Sequence, residues 1–546
     1  MGLDLFEGLY DEEESPIEEP GLVVVDAKQR VRGKTGIKEP EAEPLSRRYA
    51  RDKLPTLFSV EEIAGNEYKP FDSTRVDMKD VEEVAGTNGL TVISGFTGAG
   101  GSVTGFSLAG WKEIAASEFV NNARETLSSN YNYLTIHPQD VLEIAEDVYE
   151  ENADYYSQYF ELIENKESLV RGEVIPPSLS WERIQDNLSM DEEARNAYSE
   201  FRYAVNKEVF DALWTGVAKP GQMLLWGDDV RGLDPIALME ALDLKPGELD
   251  CWEASPPCKS FSAAGIREGK WGLILKYSDE REQKSDDLFF EYLRLVDGLK
   301  PRSFLAENVE GLALGQSEAD VLQPFSKAMS DLGYIVDYRV LMAADFGVPQ
   351  ERVRLFIQGI KEGELDKDGN QIVPTWPEGM SYRYSVDEAL ENLEIPDEEL
   401  VEFWIGSKKE LFDAYPHIDP SLVEEIWKAK ADIPEDEDRF SIGTVWKRIG
   451  PGGSPKDSYY QLTLAHPKRP APTITATAAG IIPAAGVSHY KEPRKFTLTE
   501  LKALFTFPRD YQLLGDREQQ GERIGRSVPP FMMRAIAKEL GRNLRS

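Results

Sequence analysis

Two short segments of the chain carry side chains that could perform covalent chemistry. One is Ser-Pro-Pro-Cys ending at Cys258 and the other is Glu-Asn-Val beginning at Glu307; each follows an apolar run typical of a buried strand. Two prolines would hold the Cys258 thiol in place, but a free thiol has a pKa near about 8.5 and needs help to ionise. An inert buried thiol is the alternative. A dry pocket could keep the Glu307 carboxyl protonated as a hydrogen-bond donor.

A glycine-rich segment indicates a site for an adenosine-containing ligand. Phe96, Gly98, Gly100 and Gly101 follow a short apolar run and precede a helical pattern. A strand that ends in such a turn lets the backbone approach a nucleotide closely. Glu118 ends the next predicted strand, where its carboxylate could bind the two hydroxyls of a ribose. The alternative is an ordinary tight turn beside a solvated glutamate.

A further segment supplies two cations. Gln350, Arg352 and Arg354 lie two residues apart. In an extended segment such residues share a face, so both guanidinium groups would point to the same side. Cations in that position could stabilise negative charge that develops on a bound substrate.

These residues need a scaffold that brings strand ends together. Residues 90–96, 249–255 and 302–308 are predicted to be short buried strands, and 288–299 has the apolar spacing of an amphipathic helix. Strands that alternate with helices predict an α/β fold with a parallel, doubly wound sheet. Active sites in such sheets collect at the strand ends.

Composition limits the class of protein and its partners. The 546 residues allow two or three domains, and the net charge of −37 opposes binding to a polyanion. Residues 439–546 nevertheless hold 18 Lys and Arg against 8 Asp and Glu, which predicts a basic face or, alternatively, a merely solvated basic end. The chain contains no run of about 18 apolar residues, so no membrane span is predicted. Two cysteines and four scattered histidines indicate a reducing, cytoplasmic setting without a metal site.

The order of these motifs resembles that of the cytosine-5 DNA methyltransferase family. After the glycine-rich turn come the acidic strand end, Pro-Pro-Cys, Glu-Asn-Val and Gln-x-Arg-x-Arg, and finally RKFTLTELKALFTFP and RIGRSVPP. The resemblance covers roughly 90–360 and 490–546. It implies a Rossmann-like class I methyltransferase fold, with a mixed, mostly parallel sheet, helices on both faces and a smaller target-recognition domain.

The resemblance also implies domain boundaries. The expected divisions are a partly disordered acidic N-terminal extension at 1–85, a catalytic domain at 86–360 with a helical insertion at 141–222, a target-recognition domain at 361–489 and the C-terminal part of the catalytic domain at 490–546.

A mechanism on double-stranded DNA follows from the family pattern. Cys258 would attack C6 of a flipped-out cytosine, Glu307 would hold and protonate N3, and C5 would accept a one-carbon group from S-adenosylmethionine. Arg354, supported by Arg352, would lie beside the base. Ser262 would lie in a mobile loop that closes over the base.

A second set of residues would bind the donor, S-adenosylmethionine. Asp228 would contact the adenine amino group, and Asp140 competes for that role because residues 141–222 interrupt the expected spacing. The full set implied by the resemblance is Phe96, Gly98, Gly100, Gly101, Glu118, Asp228, Arg526, Ser527 and Val528.

Four positions depart from the family pattern. Ser94-Gly95 stands where Asp-Leu is common, Lys259 follows Cys258 in place of Gln, and Arg526 replaces an Asn that lies beside the donor. Arginine suits bidentate recognition of a carboxylate. Arg526 would pair either with the ordinary donor carboxylate or Glu522, or with the extra acid of carboxy-S-adenosylmethionine. The second case would yield 5-carboxymethylcytosine.

DNA contacts are expected mainly from the recognition region of a monomer. Its acidic helical portion, 397–438, is expected to face away from DNA. The candidates for contact with phosphates or bases are Ser262, Gln350, Arg439, Lys447, Arg448, Lys468 and Arg469. A catalytically silent DNA-binding relative and an RNA methyltransferase are the rival interpretations.

Overall fold

The computed structural model describes most of the chain from Lys69 onward. The described ranges are 69–159, 192–257, 274–276, 282–284, 288–314, 321–428, 433–455, 462–477, 479–480 and 486–546. All of these residues belong to one compact unit, Glu43–Ser546. The predictions for Cys258 and Ser262, for the acidic N-terminal arm and for much of the 141–222 insertion lie outside the described residues.

Fourteen strands are described. They are β1 (Thr91–Gly95), β2 (Lys112–Ser117), β3 (Tyr133–Ile136), β4 (Met223–Trp226), β5 (Cys251–Ala254), β6 (Ile274–Lys276), β7 (Glu282–Lys284), β8 (Ser303–Val309), β9 (Tyr334–Met342), β10 (Gln350–Glu351), β11 (Val353–Lys361), β12 (Leu462–Leu464), β13 (Ala471–Pro472) and β14 (Gly486–Ser488). Three of them, β1, β5 and β8, lie within or next to the predicted apolar runs 90–96, 249–255 and 302–308.

Eight strands form the central sheet in the order β3-β4-β2-β1-β5-β8-β11-β9. The first six are mutually parallel, and β11 is antiparallel to both of its neighbours, β8 and β9. The predicted mixed, mostly parallel sheet is therefore confirmed. β10 pairs with β13 and β12 with β14, in small two-stranded sheets outside the central one.

Helices separate the strands. They are α1 (Phe71–Thr74), α2 (Met78–Val84), α3 (Gly101–Leu108), α4 (Asn121–Asn130), α5 (Pro138–Glu151), α6 (Ala153–Tyr156), α7 (Glu192–Leu213), α8 (Pro235–Ala241), α9 (Leu288–Leu299), α10 (Gln323–Asp331), α11 (Val386–Leu390), α12 (Asp397–Phe403), α13 (Lys408–Ala414), α14 (Pro420–Ile426), α15 (Ser441–Trp446), α16 (Leu498–Leu504), α17 (Arg517–Arg526) and α18 (Pro530–Asn543). Helix α9 has the bounds that the apolar spacing predicts.

The sheet buries apolar side chains on both faces. Neighbouring residues of β1 point to opposite sides: Ile93 joins the core that contains Leu295 of α9, and Val92 joins the core that contains Met532 of α18. Each face is thus covered by helices, as the predicted doubly wound architecture requires.

The segment 361–489 contains small cores of its own. Helices α12, α13 and α14 enclose one core around Trp404 and Trp427, and a second lies beside β12. Side-chain caps begin two of these short helices: Ser407 caps α13 and Asp419 caps α14.

The described residues contain neither a candidate membrane span nor a candidate metal site. No helix there has the length and apolar character needed to cross a membrane. Within the same ranges, no group of three or more His, Cys, Asp or Glu side chains is placed to hold a metal ion.

Candidate active site

Three neighbouring parallel strands end at the same edge of the sheet. In register, Gly95 of β1 lies opposite Ala254 of β5, and Ala254 lies opposite Ala306 of β8. The next residues along these strands, Phe96, Ser255 and Glu307, therefore meet at one place. A cavity of about 400 Å³ opens there. Nine of the predicted site residues line it: Phe96, Gly98, Glu118, Glu307, Arg352, Arg354, Arg526, Ser527 and Val528.

One wall of the cavity is held by backbone amides. The Gly98 N–H donates to Glu118 Oε2 at 2.6 Å, and the Val120 N–H donates to Glu118 Oε1 at 2.7 Å. Both carboxylate oxygens are thereby fixed, and each keeps a lone pair for another donor. A Cβ added at Gly98 would meet no atom within 4 Å, so the cavity is open at that point.

Gly100 and Gly101 lie beside the cavity without lining it, and their predicted contact with a ligand stays a prediction. Gly100 has a φ of 80° and precedes α3; a Cβ there would lie 2.5 Å from the Tyr511 hydroxyl. At Gly101 it would lie 2.1 Å from the Val528 carbonyl oxygen. Their small size lets α3 begin directly against the C-terminal segment, which brings Ser527 and Val528 to the cavity.

Asp228 and Asp140 follow neighbouring strands at the outer part of the same edge. Asp228 comes two residues after β4, which pairs with β2, and is buried. Asp140 lies in the first turn of α5 after β3, one strand farther from Glu118. Neither side chain lines the cavity. Strand order therefore places Asp228 nearer to Glu118 than Asp140.

Arg124 joins the loops after β2 and β4, a contact that was not predicted. This buried guanidinium donates through Nη1 to the carbonyl oxygens of Phe119 and Gly227, both at 2.6 Å. Its sequence context is an ordinary helical stretch, so no sequence signal identified it.

On the opposite wall, Glu307 and Arg354 form a buried ion pair. Arg354 Nε lies 2.9 Å from Glu307 Oε1, since Arg354 of β11 is paired in register with Val309 of β8, beside Glu307. Burial raises the pKa of Glu307, and the charges of Arg354 and Arg352 oppose that rise. Burial and the two guanidinium groups thus act on the pKa of this carboxyl in opposite directions.

Arg352 shares this wall but makes different contacts. Its Nη1 and Nη2 donate to the carbonyl oxygens of Ile474 and Gly525, each at 3.0 Å, and its side chain is 1% exposed. Arg352 therefore holds the residues after β13 and the end of α17 against the cavity. It lines the same cavity as Arg354, as the alternating pattern predicts.

The Pro-Pro-Cys segment is tied to the Glu-Asn-Val segment. Asn308 Nδ2 donates to the Pro256 carbonyl oxygen at 3.2 Å, which ties the first proline of this segment to β8. The other cysteine, Cys251, is completely buried within β5, and burial raises the pKa of its thiol well above the ordinary value. Cys251 is therefore an inert core thiol.

The C-terminal end of α17 contributes two arginines to the cavity. Arg526 Nη2 lies 2.5 Å from Glu522 Oε1, and Arg523 Nη2 lies 2.9 Å from Glu522 Oε2. Arg526 is exposed, whereas Arg523 is buried. Arg523 was not among the predicted site residues, although its place in the last motif was a signal.

Comparison with known proteins agrees with this geometry. The sequence profile of the C-5 cytosine-specific DNA methylase family matches residues 230–542, which is more than half of the chain. The chain belongs to this family. The resemblance inferred from the motifs is confirmed, and the protein is of the DNA cytosine-5 methyltransferase enzyme class.

Curated members of the family match over a little more than half of the chain. The type II methyltransferase M.SacI of Streptomyces achromogenes is 27% identical over 57% of this chain and 78% of its own length. M.BbvI of Brevibacillus brevis is 29% identical over 58% and 75%. M1.HphI of Haemophilus parahaemolyticus is 30% identical over 53% and 68%.

The residues predicted to contact DNA differ in accessibility in this methylase. Arg448, Lys468 and Arg469 are exposed, and Lys468 lies 3.1 Å from Asp387. Lys447 forms ion pairs with Asp438 and Glu410.

Two of the DNA-contact predictions need correction because the side chains are buried. Gln350 is completely buried: it accepts from the Ile474 N–H at 3.0 Å and donates to the Leu504 carbonyl oxygen. Arg439 donates to the carbonyl oxygens of Val401, Glu402 and Trp404 and lies over aromatic rings. Both side chains form hydrogen bonds with groups inside the protein.

Proposed function

We propose that this methylase transfers a one-carbon group from S-adenosylmethionine to C5 of a cytosine that has been flipped out of double-stranded DNA. The observation that carries the proposal is the convergence of two walls on one cavity. One wall holds the amide-bound carboxylate of Glu118, and the other holds the ion pair of Glu307 and Arg354.

The base would occupy the wall formed by Glu307 and Arg354. The Cys258 thiolate would form a bond to C6, while the neutral Glu307 carboxyl donates its proton to N3. Arg354 would stabilise the negative charge that develops on the ring and its carbonyl oxygen. The raised pKa of Glu307 supports this role, because the acid form is the one that can donate. Removal of the C5 proton and departure of the thiolate would complete the exchange.

The donor would occupy the wall formed by Phe96, Gly98 and Glu118. The Glu118 carboxylate would accept hydrogen bonds from the ribose hydroxyls, and Asp228 is proposed to contact the adenine amino group. Ser527 and Val528 would close this wall from the C-terminal segment. The fixed oxygens of Glu118 and the open space at Gly98 fit such a ligand. When bound, the donor would supply the activated methyl carbon.

A covalent trap tests the proposed attack by Cys258. DNA that contains 5-fluorocytosine should form a stable adduct with the native protein in the presence of S-adenosylmethionine, because the fluorine cannot leave as a proton does. Cys258→Ser should form none, and the matched control Cys251→Ser should still form it. Absence of any adduct with the native protein would favour a catalytically silent relative. Parallel assays on duplex DNA and on transfer RNA would test the RNA alternative.

A second candidate donor is carboxy-S-adenosylmethionine, which would yield 5-carboxymethylcytosine. The observation that favours it is the presence of two guanidinium groups, Arg523 and Arg526, at one end of the cavity. Guanidinium forks match carboxylates bidentately. Their present partner is Glu522, so an incoming carboxylate would compete with that side chain. Mass spectrometry of DNA nucleosides after reaction with each donor distinguishes the two; an absence of carboxymethyl product would reject this candidate.

The recognition region is proposed to lie within 361–489. Arg448, Lys468 and Arg469 are its candidates for contact with phosphates; Lys447 is exposed as well, but it would have to leave two acidic partners, whereas Lys468 has one. Replacing Arg448, Lys468 and Arg469 by Gln should weaken DNA binding and reduce its dependence on salt concentration, as measured by fluorescence anisotropy.

A further inference from the structure

A second pair of carboxyl groups lies behind the cavity and has no part in the chemistry proposed above. Glu253 of β5 is 1% exposed and Glu113 of β2 is 5% exposed. Ser94 of β1 lies between them: it is in register with Glu253, and its N–H and hydroxyl donate to the two oxygens of Glu113 at 3.1 and 3.0 Å. Buried carboxyl groups normally have cationic partners, so this pair needs an explanation.

The two carboxyls differ in how their oxygens are satisfied. Glu113 accepts both hydrogen bonds from Ser94. No described residue donates a hydrogen bond of normal geometry to either oxygen of Glu253. The hydroxyls of Ser94, Ser102 and Ser255 lie close enough to Glu253 to lower its pKa, although the Ser255 hydroxyl makes no hydrogen bond of normal geometry with a described group. Glu253 is thus held near Ser255 without being locked to another group.

The groups around Glu253 favour its neutral form. Burial, together with the nearby Glu307, raises its pKa to about 8, which the serine hydroxyls only partly offset. Glu113 on β2, Cys251 on its own strand and Tyr292 on α9 also face it, and none of these is a cation. Glu253 therefore carries a proton at neutral pH.

Ser255 lies between Glu253 and the proposed catalytic acid. It directly follows β5, lines the cavity, and its hydroxyl faces both Glu253 and Glu307. Glu307 is itself paired with Arg354, and a cation at 2.9 Å favours the ionised carboxylate. Whenever this ion pair holds Glu307 in its charged form, the carboxylate has no proton to give to N3, and a second carboxyl, Glu253, lies beyond Ser255.

We propose that Glu253 supplies the proton that Glu307 delivers, through the hydroxyl of Ser255. The inference rests on the role proposed for Glu307. The Ser255 hydroxyl gives its proton to the Glu307 carboxylate and takes the proton of the Glu253 acid, so one O–H bond breaks at Glu253 and one forms at Glu307. The negative charge passes to Glu253. When N3 returns its proton to Glu307, the reverse transfer restores both groups. Glu253 is a positioning residue in this scheme, since it does not touch the base.

The pH dependence of the single-turnover methylation rate tests this relay. Native protein and Glu253→Gln should be compared on duplex DNA with saturating S-adenosylmethionine between about pH 6 and 9. Glutamine keeps the shape but holds no transferable proton. We expect the variant rate to be within about twofold of native near pH 6 and about tenfold lower near pH 7.5, and the difference should narrow toward pH 9, where Glu253 itself loses its proton.

Two further variants make the result specific. Ser255→Ala removes the connecting hydroxyl and should change the pH profile in the same direction. Glu113→Gln makes the same chemical change at an equally buried site that does not face Ser255, and its profile should match the native one. Thermal melting by circular dichroism verifies that each variant is folded, and Ser255→Ala carries the test if Glu253→Gln does not fold.

The outcomes separate this inference from the proposed function. A Glu253→Gln profile that coincides with the native one, or that is lowered equally at every pH, overturns the relay. A matching shift in Glu113→Gln also overturns it, because the effect would then be general to buried acids. If Glu307→Gln keeps the native rate, the acid role proposed for Glu307 fails, and the relay fails with it. Loss of activity in Glu307→Gln with an unchanged Glu253→Gln profile rejects the relay alone.

Discussion

The two walls of the cavity differ in the chemical groups that form them. On the wall with Gly98 and Glu118, backbone N–H groups hold one carboxylate at both oxygens. On the wall with Glu307, Arg352 and Arg354, the charged side chains of Glu307 and Arg354 hold each other, and burial shifts the pKa of all three residues. Backbone amides cannot change protonation state, whereas a buried carboxyl beside arginine can. The first wall is suited to holding a ligand, and the second to moving a proton.

The largest effect should follow from changing Glu307. Glu307→Gln preserves the shape but removes the proton donor, so we expect the single-turnover rate to fall by about 100-fold or more. Donor affinity, measured by calorimetry on the same variant, should stay within about twofold of native because Glu118 is untouched. A large loss of donor affinity would contradict the assignment of donor binding to one wall and proton transfer to the other.

Much of the difference between the two walls could be predicted from the sequence, because it depends on local sequence patterns. Helix α9 has the predicted bounds because its apolar spacing is unbroken. Glu307 and Arg354 meet because each lies in a predicted strand segment, and the pairing of β8 with β11 sets Arg354 opposite Val309, two residues from Glu307.

The contacts that were missed depend on partners far away in the chain. Arg352 binds carbonyl oxygens at Ile474 and Gly525, more than a hundred residues later. The burial of Gln350 has the same origin, because its partners are Ile474 and Leu504. The juxtaposition of Glu253 with Ser94 requires the strand order itself, which sequence periodicity does not contain.

Arg352 should matter for stability more than its neighbour Arg354. Arg352→Met would leave the carbonyl oxygens of Ile474 and Gly525 without their donor inside the protein. We expect a loss of about 2–4 kcal/mol in the free energy of unfolding, from two unsatisfied buried acceptors. Urea denaturation measures it. Arg354→Met is the matched variant. It should lower the methylation rate but reduce the free energy of unfolding by less than Arg352→Met does. Equal losses in the free energy of unfolding for the two variants would contradict this distinction.

Glu118 should affect donor binding rather than chemistry. Glu118→Gln exchanges one acceptor oxygen for an amide donor that faces the Gly98 or Val120 N–H, so a hydrogen bond is lost on this wall. We expect donor affinity to fall by about tenfold, with the single-turnover rate at saturating donor within about threefold of native. Glu125→Gln on α4, whose carboxylate accepts only from the neighbouring Asn121 side chain among the described contacts, is the control and should change neither quantity.

The smallest effect concerns stability and its dependence on pH. Glu253 has a pKa of about 8 in the folded chain against an ordinary value of 4.5, so folding favours its protonated form. The stability linked to this proton is fully present below the ordinary pKa and is lost as pH rises through the folded pKa, at a slope of about 1.4 kcal/mol per pH unit at most. Glu253→Gln has no such proton. The difference in melting temperature between Glu253→Gln and the native protein should therefore become more favourable to the variant from about pH 5 to about pH 8. A constant difference in melting temperature over that interval would mean that Glu253 is already ionised in the folded protein. Glu253 would then have no proton to supply to Glu307.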